Sequence, residues 1–288
     1  MNNDTLILVV THKPFDQTIV PKDGYKIIKV GQKLSSEEAK KMGFLTDDDG
    51  DNIAEENPFY CELTAQYWAW KNIDPSIKYV GISHYRRYFF DYSEKAAEWK
   101  KNIVSAQRIK EILKDHKVII SFPSVKVPGF SMLYKNKPDD QQDKHWVVIR
   151  DIIKESYPEM YTSFEHIMYG RKTIYGNMLI ARREVFDRYC DWIFDVLKKY
   201  DEVLKKRGEE RIPRVDGYLS EPLLLIWMAY NLQKEDVFHL EIRNTEADHF
   251  RDYEKGLTGK IIRSVRHNRT GLVLMQRIKV MLLYIIRR

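Results

Sequence analysis

Cysteine is scarce in this sequence. Only Cys61 and Cys190 occur in 288 residues, far apart and inside apolar, aromatic-rich segments. Two such residues make neither a disulfide framework nor a zinc-ligand spacing, so a reducing cytosol is the simplest setting and each reads as a small core residue. Long hydrophobic runs are absent too: nothing approaches the roughly twenty apolar residues that a membrane-spanning helix needs. The opening MNNDTLILVVTHK has no basic n-region and no cleavage site, and its apolar run covers only Leu6 to Val10. It reads as a first β-strand and not as a signal peptide. Neither GxGxxG nor a Walker loop is found, which removes the main support for a dinucleotide or P-loop fold. No internal repeat and no low-complexity linker interrupts the chain.

The composition that remains is globular: 43% of residues are hydrophobic and 12% aromatic, enough to bury a sizeable core. The length suits one large domain or two small ones. The net charge of +6 is unevenly spread: Lys260 to Arg288 holds eight Lys and Arg and no Asp or Glu, leaving a body with 40 basic and 42 acidic residues. A near-neutral body with a basic tail argues against nucleic-acid backbone binding by the body.

Strand signals fall at residues 5–10, 24–30, 78–83, 117–122, 175–181 and 239–242. Helix signals fall at Ser35 to Met42, capped by Ser35 or Ser36, and at Pro58 to Asn72, Ala106 to Asp115, Trp146 to Ser156, Pro158 to Tyr169, Arg183 to Tyr200 and Pro222 to Asn231. Residues 124–145 read as a long irregular segment, of the kind that is functional or mobile. Short apolar strands alternating with helices predict an α/β sandwich. Ligands in such folds bind at the carboxyl ends of the strands. His12, the run His84 to Arg87, and Asn177 are the polar groups that the pattern brings to those places.

Each motif has a plain reading beside the functional one. The stretch from Asp47 to Asn52 looks like a calcium loop only superficially, since Gly50 is fourth from Asp47 and an EF-hand needs glycine at position six. It is either a solvated acidic turn or a place where Asp51 and Asn52 hydrogen-bond a ribose, base or sugar. The aromatic helix with Trp68 and Trp70 reads as core, with Glu62 and Lys71 as its exceptions; a glutamate there is placed to hold an arginine of the next motif. His84-Tyr85-Arg86-Arg87 is either a charged strand end or an anion clamp, because arginine stays charged and grips phosphate bidentately. Asp216, in the DGYLSE stretch before the helix at Pro222, is either a helix cap or a general base at a helix start. Asn177 follows Gly176, which permits close backbone approach, and its amide offers a donor and an acceptor to a sugar hydroxyl. The stretch Leu272 to Ile286 is basic and apolar together: it fits an interfacial helix on an anionic bilayer, or a helix docked on the body or used for self-association.

In order, Thr11-His12-Lys13, DDDGDNIAEENPFYCELTAQYWAWKN, VGISHYRRYF, YGNMLIARREVFDRYCDWIF and DGYLSEPLLLIW resemble a bacterial glycosyltransferase family of capsular-polysaccharide, exopolysaccharide and lipopolysaccharide gene clusters. The resemblance runs from about residue 5 to 245; the ELTxxYWxWKN and HYRRYF blocks are its most specific parts. It implies a single GT-A-like (Rossmann-like) α/β domain over residues 1–255, a mixed sheet flanked by helices, followed by a basic amphipathic tail over 256–288. It implies a nucleotide-sugar donor, in the UDP form and with galactofuranose, galactose or another hexose as candidates, and a lipid-linked glycan acceptor. On this resemblance His12, Lys13, Asp51, Asn52, His84, Arg86 and Arg87 line the donor and diphosphate site. Asn177 and Tyr85 touch sugar, and Glu221, with Asp216 as the second candidate, is the base of an inverting displacement. GT-A enzymes hold a divalent metal, Mn or Mg, through an Asp-x-Asp pair, whereas His84-Tyr85-Arg86-Arg87 stands in that place; the expectation is that arginine replaces metal. The family's Glu-Arg pair is Glu221-Pro222 here. The resemblance implies a cytoplasmic enzyme peripheral on the inner face of the cell membrane through its tail. A glycan-binding or scaffold protein of an assembly complex is the non-enzymatic alternative.

Overall fold

The structure is a computed structural model, and it describes residues 4–92, 102–125, 141–170 and 172–246. Its frame is strand β1 (Thr5–Thr11), in which all seven residues are buried. Leu6, Leu8 and Val10 point into one apolar cluster, and Ile7 and Val9 into a second on the other face. A strand buried on both faces reads as a continuous apolar run, which is why LILVV needs no alternation. Parallel to it lie β2 (Tyr25–Lys29) on one side and β4 (Tyr79–His84) on the other, with the short β3 (Leu45–Thr46) beyond β2.

Past β4 the sheet forks. Tyr79 to Gly81 pair antiparallel with β9 (Leu179–Arg182), while His84 pairs with Arg87 at the start of β5 (Arg87–Phe90). Strand β10 (Val237–Asn244) joins β5 to β6 (Val118–Ser121), and β6 returns to β9. Five strands thus close a ring beside the parallel blade β3-β2-β1. A separate two-stranded ribbon pairs β7 (Ser124–Val125) with β8 (Lys172–Thr173).

Helices cover both faces. One apolar cluster joins the sheet to α3 (Leu63–Asn72), α5 (Gln141–Ser156), α6 (Tyr161–Tyr169), α7 (Arg183–Arg207) and α8 (Val215–Asn231). The other joins it to α4 (Ala106–Asp115) and to Tyr88, Phe89 and Phe90. Helix α1 (Ser36–Lys41) starts on a reciprocal capping box between Ser35 and Glu38, which satisfies two otherwise orphaned amides.

The mixed α/β sheet flanked by helices is as expected, and several local expectations are corrected. The helix over Pro58 to Asn72 is two: α2 (Asn57–Tyr60) and α3, broken at Cys61, whose φ is 53°. The Asn57 amide donates to the Cys61 carbonyl at 2.8 Å, and so does the Thr64 hydroxyl at 3.0 Å, which holds the break. HYRR is not a strand end but a hairpin, with Tyr85 and Arg86 as its turn. The strand over 175–181 begins only at Leu179, because Gly176 and Asn177 take positive φ values of 89° and 45°. Helix α8 begins seven residues before Pro222. The proline's missing N–H suggested a helix start, but buried Val215, Asp216, Leu219 and Ser220 hold the earlier turns. Most of the long segment 124–145 and all of the tail 256–288 lie outside the described residues.

Gly81 sits where β1, β4 and β9 meet. A Cβ there would stand 2.7 Å from Ile180 Cγ1 and 2.8 Å from Ile7 Cδ1, closer than such atoms approach. Gly81→Val is therefore expected to destabilise the fold by about 1–3 kcal/mol through overpacking, read as a lower denaturation midpoint; an unchanged midpoint would show that the junction has slack.

Candidate functional site

The carboxyl ends of β1, β2 and β4 and the amino end of the antiparallel β9 share one edge of the sheet. The non-glycine residues with left-handed backbone among the described residues are Cys61, Asn177 and Arg214, with φ of 53°, 45° and 66°. All three converge here. Arg214 is the residue from which α8 springs, its amide donating to the Pro58 carbonyl at 2.9 Å. A Cβ on Gly217 would lie 3.3 Å from Cys61 Cβ, so α8 and the α2–α3 break touch closely. Left-handed conformations cost L-residues roughly 1–2 kcal/mol each, and such strain persists where the surroundings over-determine it, often at functional sites.

The strained residues place two carboxylates. The Asn177 side-chain nitrogen donates to Glu62 Oε1 and to the Gly217 carbonyl, each at 2.9 Å. One residue earlier, the Gly176 amide donates to Glu221 Oε1 at 2.5 Å. Burial pushes the half-buried Glu221 carboxyl up to about 7; the Gly176 hydrogen bond pulls it down, Glu62 pushes it up, and Arg87 and Arg214 pull it down. His84 faces the same group. Burial lowers its basicity first, Glu62 opposes that, and Arg87 and Arg86 reinforce it. Its buried Nε2 has no hydrogen-bond partner. A Cβ on Gly176 would lie 3.6 Å from His84 Cε1, so the 176–177 turn lies over the imidazole.

Cations surround these acids. Tyr85, buried, is the hub: His12 meets its ring edge-on at 5.5 Å, Lys13 Nζ lies 5.0 Å from its centroid and the Arg86 guanidinium 5.5 Å. His12 is held below its ordinary basicity by burial and then by Lys33, Lys13, Arg86 and Arg214. Arg86 makes a long, exposed ion pair with Glu246 at 3.9 Å. Such a surface pair is worth little and leaves the guanidinium available to a stronger anion. Among the described residues no group of three or more His, Cys, Asp or Glu side chains is arranged to hold a metal ion.

Of the residues expected from sequence, His12, Lys13, His84, Tyr85, Arg86, Arg87, Asn177 and Glu221 come together at this edge. Asp51, Asn52 and Asp216 do not join them. Asp51 is tied to the outer side of α3, accepting from Tyr67 at 3.2 Å and, through its carbonyl, from Asn72 at 2.7 Å. Asn52 spends its amide on its own turn, donating to the Gly50 carbonyl at 2.9 Å and accepting from the Ala54 amide at 3.1 Å. Asp216 is fully buried with Arg211, Asp201 and Glu56, the Arg211 guanidinium reaching it at 3.4 Å. It caps no helix, being the second residue of α8. Glu62 holds Asn177 and not an arginine of the next motif. Lys71 lies flat on Trp70, 3.3 Å from the ring centroid.

Arg214 and Lys33 were not expected. The rule that ligands gather at carboxyl ends was the signal that could have found Lys33, four residues past β2; Arg214 sits in a polar stretch with no pattern of its own. A cleft of about 810 Å³ opens at the opposite, amino end of the strands, lined by Thr5, Gly24, Trp68, Asn72 and Ile77 among others. None of the expected residues lines it.

A family model described as a domain of unknown function (DUF4422) matches residues 6–233. No curated protein matches the chain. Among solved structures the chain is similar to the apo structure of WbbM, described as a bifunctional glycosyltransferase. The TM-score is 0.69 at 24% identity, over 85% of this chain and 46% of that one. At that identity the likeness shows the fold, and the chain spans less than half the length of the protein it matches.

Asp216 yields a stability prediction. Burial, and then the Asp201 charge, push its carboxyl up to about 8 against the pull of Arg211. The folded protein thus holds this proton more tightly than the unfolded chain, where an aspartate titrates near about 4. The stability it contributes is present at low pH and is lost as pH rises through about 8. Asp216→Asn is expected to flatten the fall of Tm between about pH 4 and 8; an unaltered slope would mean that another group binds that proton.

Proposed function

We propose that this chain, which belongs to the DUF4422 family, is an inverting glycosyltransferase of GT-A type that uses a nucleotide-diphosphate sugar. The observation that carries the reading is Glu221: a half-buried carboxylate held near neutrality beside Arg87 and Arg214 at the carboxyl edge. A general base works best with a pKa near the working pH. Glu221 takes the proton from an acceptor hydroxyl, and the hydroxyl oxygen attacks the anomeric carbon. The bond from that carbon to the diphosphate breaks with its electron pair going to the leaving nucleotide. Arg86, Arg87, Arg214, Lys13 and Lys33 supply the charge that stabilises the leaving diphosphate. Among the described residues the Arg87 side chain makes no hydrogen bond or ion pair, and a guanidinium offers five donors to phosphate oxygens. His12 and Tyr85 shape the same wall.

A divalent ion does not suit this edge. It would sit among like charges in the place where GT-A enzymes put their Asp-x-Asp pair, so no step here runs through Mn or Mg. The donor we favour is UDP-linked, with galactofuranose, galactose or another hexose transferred to a lipid-linked glycan of capsular, exopolysaccharide or O-antigen assembly. What supports this is the sequence resemblance and the fold shared with a protein described as a bifunctional glycosyltransferase. The tail over 256–288, which would hold the enzyme on the inner face of the cell membrane, lies outside the described residues. Among the described residues no helix is long and apolar enough to cross a membrane. A scaffold or glycan-binding protein is the alternative, and calorimetry with UDP and UDP-sugars separates the two, since a scaffold has no need of a nucleotide.

Glu221→Gln is expected to lower kcat by about 10²–10⁴-fold while donor binding survives, and wild-type kcat is expected to rise with pH through about 7 as Glu221 ionises. Unchanged turnover removes Glu221 from the role. Separately, activity is expected to withstand EDTA; a loss restored by manganese would overturn the arginine clamp.

A further inference from the structure

A base that deprotonates a hydroxyl must touch it, so the side chains next to Glu221 are those that the acceptor meets. Two of them are large aromatics left in solvent: Tyr175 is 63% exposed and Tyr218 48% exposed. Tyr175 immediately precedes Gly176, whose amide holds Glu221. Tyr218 lies three residues before Glu221 on α8, a spacing that puts both on one side of the helix. The Arg214 guanidinium lies 5.3 Å from the Tyr218 ring centroid, which ties that ring to the site. Pro222 has no N–H, so the Tyr218 carbonyl receives no bond from four residues on and keeps acceptor capacity beside the base.

A protein gains nothing in folding from leaving a tyrosine ring in water, since the hydrophobic effect favours its burial. Here one such ring immediately precedes the glycine whose amide holds Glu221, and the other lies one helical turn before Glu221 on α8. The chemistry that fits is a pyranose or furanose ring. Its apolar C–H face packs on an aromatic face, while its hydroxyls reach the carboxylate, the carbonyl and the tyrosine O–H. A phosphate does not need such rings, and the cations around Tyr85 already serve it.

Resting on the reading of Glu221 as the base, we propose that Tyr175 and Tyr218 form the platform on which the terminal sugar of the acceptor stacks, so that they set acceptor affinity and not donor affinity. Both are exposed, so truncation leaves the core intact. The test is saturation-transfer NMR with methyl hexopyranosides and methyl hexofuranosides, in the presence of UDP, on the wild type and on Tyr175→Ala, Tyr218→Ala and the two Phe variants. The wild type is expected to saturate the ring C–H protons of at least one glycoside. Each Ala variant is expected to weaken that glycoside's binding roughly three- to tenfold, and each Phe variant to keep most of it. UDP affinity should stay within twofold in Tyr175→Ala and in both Phe variants. Binding unchanged in both Ala variants, or no saturation of any glycoside by the wild type, overturns the platform. Because the assay needs no turnover, it fails independently of the base: turnover that survives Glu221→Gln sinks the base and leaves a sugar platform standing or falling on its own NMR result.

Discussion

The side-chain nitrogen of Asn177 gives one proton to Glu62 and the other to the Gly217 carbonyl, each across 2.9 Å, and the geometry of the carboxyl edge depends on it. Glu62 belongs to the start of α3, Gly217 to the first turn of α8, and Asn177 to the turn that feeds β9. These elements are far apart in sequence, and this amide and the neighbouring Gly176 to Glu221 hydrogen bond tie the turn before β9 to both helices. To bring its side chain there Asn177 takes φ of 45°, which asparagine tolerates better than most residues. The net worth of a hydrogen bond to a charged group is about 1.5–3 kcal/mol, enough to outweigh roughly 1–2 kcal/mol of local strain. The same balance holds at Cys61, where two side-chain donors fasten the carbonyl of a strained residue.

What that frame creates is a charge pattern that neither folding nor solvation favours by itself. Glu62 raises the cost of charging Glu221 beside it, while five cations stand around them with few acids to pair with. Arg87 and Arg214 lower the Glu221 pKa, but burial outweighs them and holds the group at about 7. A surface patch of this kind is unfavourable until an anion arrives, and under the proposed function that anion is the donor's diphosphate. On that proposal the electrostatic surplus stays unspent in the free protein and acts on the leaving group.

How much of this was legible in the sequence depended on range. The run LILVV, a serine cap at Ser35 or Ser36 and the helices α4 and α7 are set by neighbours in sequence, and composition and periodicity showed them; the Glu38 half of the capping box came only with the structure. The rule that ligands gather at carboxyl ends found His12, His84, Arg87 and Asn177, because it needs only the strand order. It did not find the break at Cys61, whose support comes from Asn57 and Thr64 side chains inside an otherwise good helical pattern. Nor did it find the hairpin: Tyr88, Phe89 and Phe90 look like the end of an aromatic motif until β10 pairs with them. Asp51 and Asn52 misled for the opposite reason. Short polar residues in a Gly-containing turn look like ligands, yet their hydrogen bonds serve the turn and the outer side of α3.

The two acids of α8 show why geometry must be read before titration. Asp216 and Glu221 are five residues apart, which at about 100° per residue sets them roughly 140° apart around the helix. Burial raises both, to about 8 and about 7, and on pKa alone either would serve as a base near neutrality. But Asp216 has no solvent exposure, an Oδ1 with no partner, and an arginine shared with Asp201 and Glu56. A hydroxyl reaching it would have to displace the first turns of α8 and with them Arg214. Glu221 turns one oxygen to the Gly176 amide and is only partly buried. A perturbed pKa marks both places; only one of them reaches solvent, and it is the one where all three strained residues meet.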